Sequence, residues 1–178
     1  MTDSLPSMLV IGGANLDMSG TTFSHLVAGE SNPGIVKSYA GGVGRNIAEN
    51  LARLGFACHF ISAIGTDPGH RLILESCQQV GINTDDLVVC PDFSTGTYLA
   101  IHDQNGALQA SVVDMAIIDQ LTPEVLQTRQ AVLKVHEHLV LDGNLNTVTL
   151  SWIVDQYPGK TLYVDAVSPA KAPCLTCL

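Results

Sequence analysis

Three side chains suited to holding a polyhydroxylated ligand fall in two short stretches near the start of this chain. Ala14-Asn15-Leu16-Asp17 follows an apolar run, Met8-Leu9-Val10-Ile11-Gly12-Gly13, and Asn46 follows Gly41-Gly42-Val43-Gly44-Arg45. A carboxylate such as Asp17 can accept hydrogen bonds from two neighbouring hydroxyls, the pattern a ribose diol presents. The other reading of Asp17 is a carboxylate steadying a loop after a strand; the company of Asn15, Gly42 and Asn46 favours the ligand role. Asn15 and Asn46 each offer a donor and an acceptor, to a sugar hydroxyl or to the local backbone. Gly41 and Gly42 permit close approach to the main chain. The helix start beyond them presents unpaired N–H groups and the positive end of its dipole to oxygen-rich ligands. Asn144, in Asp142-Gly143-Asn144, is a further candidate at the end of another apolar run.

These residues must be positioned by strands and helices that the sequence punctuates clearly. Ile47, Leu51 and Leu54 share one helical face, and Gly55 supplies a stop. Strands are expected at roughly 8–13, 35–39, 57–64, 87–90, 138–141 and 161–164. Asp67 fits an N-cap with Pro68 at the first helical position, followed by Leu72, Ile73, Cys77 and Val80 on one face. Asp67 is therefore expected to be a cap and not a catalytic aspartate. Thr122-Pro123 opens another helix with Glu124 in its first turn, and Asn146 or Thr147 begins one running to about Tyr157. The alternation calls for an α/β fold, a mainly parallel sheet with helices on both faces.

One segment breaks that rhythm. Thr97–His102 and Ala107–Val113 flank Asp103-Gln104-Asn105-Gly106, and Asn-Gly between two β-prone runs signals a hairpin. Insertions at about 18–39 and 95–114 are expected to form a smaller sheet outside the main one. Thr97, Leu99 and Ile101 alternate with Tyr98, Ala100 and His102, and the sequence leaves open which set faces a ligand. Arg45 is expected to be a solvated surface arginine. His136 and His138 are expected to be solvated or core residues and not metal ligands.

The 178 residues suffice for one domain with a sizeable core, and 46% of them are hydrophobic. Eight Lys and Arg face 17 Asp and Glu, a formal charge of −9, which disfavours nucleic acid and anionic membranes as partners. Aromatic residues are only 5%, too few for a base-stacking surface. No apolar run reaches the roughly 20 residues of a membrane span, and Met1-Thr2-Asp3-Ser4 lacks the basic start of a signal peptide. Five scattered cysteines suggest reduced thiols and a cytoplasmic setting. Cys174 and Cys177 form a single Cys-x-x-Cys, a poor zinc signal without a second pair, so no metal site is expected.

Taken together, the strand ending in Gly12-Gly13, the Asn15/Asp17 pair and the Gly41-Gly42-Val43-Gly44-Arg45-Asn46 segment resemble the amino-terminal half of the ribokinase-like, or PfkB, carbohydrate kinases. The resemblance runs from about Met8 to about Lys171. It implies a ribokinase-like fold whose inserted sheet forms a β-lid over the sugar and often carries a dimer contact. It implies substrate-binding roles for Asn15, Asp17, Gly41, Gly42, Asn46 and Asn144. It also implies a small sugar or nucleoside as acceptor, with ATP and Mg²⁺ as cofactors. Ser31-Asn32-Pro33-Gly34, the Gly41–Ala48 segment and Asp114-Met115 are similar to the bacterial branch that phosphorylates the 5′-hydroxyl of pseudouridine.

The family's base lies in a Gly-Ala-Gly-Asp segment near its C-terminus, and no Gly-x-Gly-Asp occurs in these 178 residues. No catalytic residue is therefore assigned, and the expectation is a truncated chain or a shifted reading frame. Asn46-Ile47-Ala48-Glu49 matches the family's Asn-x-x-Glu only by chance, since that motif belongs much later in the chain. Two rivals remain: an inactive sugar- or nucleoside-binding remnant, and a dinucleotide-binding domain. The second needs Gly-x-Gly-x-x-Gly, which Gly12-Gly13 does not continue.

Overall fold

A computed structural model describes residues 5–169 together with Ala172 and Leu175. Strand β1 (Ser7–Ile11) is the unbroken apolar run, and it is paired on both sides. Its neighbours are β4 (Ala57–Ile61) and β9 (His138–Asp142), and β10 (Thr161–Asp165) lies beyond β9. All four strands are parallel, in the order β10-β9-β1-β4. A central parallel strand is covered on both faces, which is why β1 shows no polar alternation.

Alternation of side chains along β1 and β9 divides the core in two. Leu9, Ile11, Leu139 and Leu141 point to one face. There they meet Leu126 of α3 (Pro123–Gln127), Leu133 of α4 (Gln130–Val135), and Leu150 and Ile153 of α5 (Thr147–Gln156). Met8, Val10, Phe60 and Val140 point the other way, against Ala48 of α1 (Val43–Arg53) and Ile73 and Cys77 of α2 (Pro68–Gln79). The three expected caps form: the Asp67, Thr122 and Asn146 side chains accept from the N–H groups of Gly69, Val125 and Thr149. Helix α1 ends as expected, with Gly55 at a φ of 92°, though Leu54 lies exposed at the turn instead of continuing the buried face.

The second sheet has the order β3-β2-β7-β8, from β2 (Asn15–Thr22), β3 (Gly34–Gly41), β7 (Gly96–His102) and β8 (Leu108–Asp114). Strands β7 and β8 form the expected hairpin, closed by Asp103, whose carboxylate accepts from the N–H groups of Asn105 and Ala107. The sequence placed residues from about 18 in a smaller sheet without giving strand β2 its bounds, because Ser19, Gly20, Thr21 and Thr22 have turn-like composition. The strand forms because β3 and β7 supply ladders on both its edges. The strand expected over 57–64 breaks at Ser62: β4 stays in the main sheet, while β5 (Ala63–Ile64) pairs with β6 (Val88–Val89).

Beneath the sheet, the rings of His59 and His136 lie 4.5 Å apart between centroids. His136 is buried with Nδ1 2.8 Å from the Val132 carbonyl oxygen. Burial, and then the neighbouring His136, hold the His59 imidazole below its ordinary value. Well above pH 6.5 the ring is neutral in both folded and unfolded chains and contributes no pH dependence. As the pH falls below that value the unfolded ring binds a proton that the folded ring resists, so stability is lost. In His59→Phe, urea unfolding followed from pH 7 to pH 5 should show a shallower acid decline; an unchanged slope would assign the decline to other groups.

Candidate functional site

The carboxyl ends of β1, β4 and β9 open into one cavity of about 440 Å³, lined by Gly13 and Ala14, by Ser62, and by Asn144 respectively. Ligand sites in open α/β sheets form at this end of the strands. The second sheet closes the cavity from above with Asn15, Asp17, Tyr98 and Val113. The start of α1 contributes Gly42, Val43 and Asn46, and Met115, Ile117 and Ile118 form an apolar wall. Five expected binding residues, Asn15, Asp17, Gly42, Asn46 and Asn144, thus share one cavity. The Tyr98 set of β7, and not the Leu99 set, faces it.

The sixth, Gly41, lies behind Asp17. A Cβ at Gly41 would sit 2.2 Å from Asp17 Oδ2, so glycine leaves room for the carboxylate. Gly42 has a φ of 98°, and a Cβ there would lie 2.4 Å from the Gly13 carbonyl oxygen. Only glycine brings the start of α1 this close to the end of β1. Asn15 and Asp17 do not lie in a loop; both belong to β2, two residues apart on the same face. Asn15 Nδ2 donates to Asp17 Oδ1 at 2.5 Å, which orients the carboxylate and leaves Oδ2 toward Gly41.

Arg45 corrects the sequence expectation. It is 5% exposed, and its guanidinium donates to Glu49, to Ser76 Oγ at 2.7 Å, to the Gly41 carbonyl at 3.2 Å and to Asn46 Oδ1. Its partners lie on α1, α2 and β3, so the fold closes around a residue that a helical pattern places outside. Glu49 is held below the ordinary carboxylate range by hydrogen bonds from Arg53 and then Arg45. With its oxygen engaged by Arg45, Asn46 has its amide NH₂ to offer a ligand.

The sequence pattern passed over Asp142, the last residue of β9, which is wholly buried. Its Oδ2 accepts from the backbone N–H of Gly13 at 2.9 Å and of Gly44 at 3.2 Å. Its Oδ1 accepts from the backbone and side-chain amides of Asn144, both at 2.9 Å. Helix α1 has no side-chain cap from its own N-cap, Gly42; Asp142 supplies that acceptor from another strand. The signal available was an Asp at the carboxyl end of an apolar strand. Asp67 also does more than cap α2: its Oδ2 accepts from Thr95 N–H at 2.6 Å, tying the entry of β7 to the helix.

Among the described residues, no group of three or more His, Cys, Asp or Glu is gathered to hold a metal ion. The terminal Cys-x-x-Cys lies outside the described residues. Cys58 and Cys77 are buried free thiols, pushed up by that burial to about 12 and about 11. No helix among the described residues is long and apolar enough to cross a membrane.

Residues 6–162 match the model of the pfkB family carbohydrate kinases. The chain belongs to that family. It is 35% identical over 164 residues to the pseudouridine kinase of Escherichia coli, covering 92% of this chain and 52% of that protein. It is 30% identical over 145 residues to a guanosine-inosine kinase of Exiguobacterium acetylicum, covering 82% of this chain and 48% of that protein. A carbohydrate kinase structure from Agrobacterium tumefaciens superposes with a TM-score of 0.89 at 34% identity, covering 97% of this chain and 57% of the other. The chain spans about half the length of the curated relatives it matches.

Asp142→Ala should strip the acceptor from four N–H groups. Each charge-assisted bond contributes about 1.5–3 kcal/mol, without simple additivity. A loss of about 2–4 kcal/mol in urea unfolding is expected. A loss under about 0.5 kcal/mol would show that Asp142 is not the clamp described here.

Proposed function

We propose that this chain is the acceptor-binding part of an ATP-dependent kinase that phosphorylates a ribose-type hydroxyl, with the 5′-hydroxyl of pseudouridine as the favoured target. The observation that carries this reading is Asp17: a carboxylate oriented by Asn15, backed by Gly41 and facing a cavity of nucleoside size. Asp17 accepts from two vicinal hydroxyls, Asn15 and the Asn46 amide meet neighbouring oxygens, and the Gly42 backbone closes against the sugar. Asn144 reaches the sugar from the far side. The similarity to pseudouridine kinase and to guanosine-inosine kinase supports a nucleoside over a simple sugar.

Phosphoryl transfer requires positioning, neutralisation of charge on the transferred group by Mg²⁺, and a residue that accepts the hydroxyl proton. The residues described here supply positioning of the acceptor. ATP and Mg²⁺ belong to the complete enzyme. A nucleoside-binding remnant without catalysis is the second reading, favoured by the lack of Gly-x-Gly-Asp in these residues. The second sheet acts as a lid in either case. Its face away from the cavity carries exposed Val36, Ile101 and Val112, which suit a second copy of the chain. Sedimentation over a range of concentrations reads that association. The free thiols suit a cytoplasmic setting.

Asp17→Asn removes a charge-assisted acceptor and should weaken ribose and pseudouridine binding alike, by about 1.5–3 kcal/mol in calorimetry. Unchanged affinity for both would take Asp17 out of the site. The 178-residue polypeptide should show no ATP-dependent turnover, because loss of a general base alone costs about 10²–10⁴ in rate. Robust phosphorylation by this polypeptide would place a base among these residues and reject the remnant reading.

A further inference from the structure

Ser62 stands between β4 and β5, 1% exposed, and its Oγ has no hydrogen-bond partner among the described residues. A buried hydroxyl without a partner is costly and rare. This one lines the cavity. Its carbonyl accepts from Val88 N–H at 2.8 Å, which ties the residue to β6. The site's other polar side chains are already paired in part: Asp17 with Asn15, Asn46 with Arg45, Asn144 with Asp142. Among the described residues, Ser62 is the buried polar side chain of this cavity whose whole donor and acceptor capacity is unspent.

Its location says what it meets. Ser62 directly precedes Ala63, which packs in one cluster with Ile117, and Ile117 and Ile118 form the cavity's apolar wall. The Asp17 side of the cavity, on β2, is where sugar hydroxyls are served. The wall side suits a flat, largely apolar body, and a lone hydroxyl in such surroundings recognises a polar edge on it.

We propose that Ser62 is a specificity-determining residue whose hydroxyl hydrogen-bonds the polar edge of a heterocyclic base attached to the ribose. The acceptor class is then a nucleoside rather than a free pentose. This rests on the reading of the cavity as an acceptor site, and it assigns the half of that site which Asp17 does not reach.

The test is calorimetry on the full chain, unaltered and as Ser62→Ala and Asp17→Asn, with pseudouridine, inosine and ribose as ligands. Ser62→Ala should weaken at least one of the two nucleosides about three- to tenfold, the loss of one neutral hydrogen bond, and leave ribose unchanged. Its thermal midpoint without ligand should not fall, because no internal hydrogen bond is lost; the rise in midpoint on adding that nucleoside should be smaller than in the unaltered chain. Equal nucleoside affinity in Ser62→Ala would overturn the proposal, as would an equal weakening of ribose. Asp17→Asn separates the two ideas. If it leaves every ligand unaffected while Ser62→Ala weakens a nucleoside, the sugar reading fails and the Ser62 assignment stands. If it weakens every ligand while Ser62→Ala weakens none, the reverse holds. An unaltered chain that binds none of the three overturns both.

Discussion

The buried carboxylate of Asp142 is the interaction on which the rest of this site depends. Through one side chain, the end of β9 is joined to the end of β1 at Gly13 and to the first turn of α1 at Gly44. A carboxylate fully withdrawn from water is tolerated only when its lone pairs are filled by donors, and here four N–H groups fill them. The negative charge also sits at the positive end of α1, where the helix dipole favours it. Neighbouring glycines follow from this. A Cβ at Gly12 would lie 2.3 Å from that of Asp142, so the turn after β1 must be bare for the carboxylate to enter.

A second network sits on the other side of the α1 turn. Arg45 gathers Gly41, Asn46, Glu49 and Ser76, which lie on three elements. A buried arginine with most donors used is an alignment device more than a source of stability, since desolvation offsets much of the attraction. Its effect on the site is to set the Asn46 amide. Asp142 and Arg45 thus hold the Gly41–Asn46 segment from opposite sides, so that a ligand meets a main chain already in place. Such preorganisation lowers the ordering cost of binding.

The second sheet is bound to this frame through fewer ties. Asn15 and Gly96 continue the ladder close to the cavity, and Asp67 joins the entry of β7 to α2. Beyond them β8 is exposed along its whole length. Local stability is lower where few apolar groups are buried. The cavity's polar residues divide accordingly: Asn15, Asp17 and Tyr98 ride on the second sheet, while Gly42, Asn46, Ser62 and Asn144 belong to the floor.

Much of this was legible in the residues themselves. The apolar run of β1, the Asn-Gly hairpin, the caps at Asp67, Thr122 and Asn146, and the Gly41–Asn46 segment are local codes. Each rests on propensity, periodicity or a backbone angle acting over a few residues, and each formed where expected. The contributions of Asp142, Arg45 and Ser62, and the start of β2 at Asn15 within the expected second sheet, were not legible. Asp142 caps a helix 98 residues away from its own position, Arg45 is buried by a helix that its own heptad cannot foresee, and β2 exists because two distant strands pair with it. Whether a polar atom is satisfied, and which face of β7 meets the cavity, are sums over neighbours from the whole chain. Local codes carry no record of those neighbours, so only tertiary packing decided them.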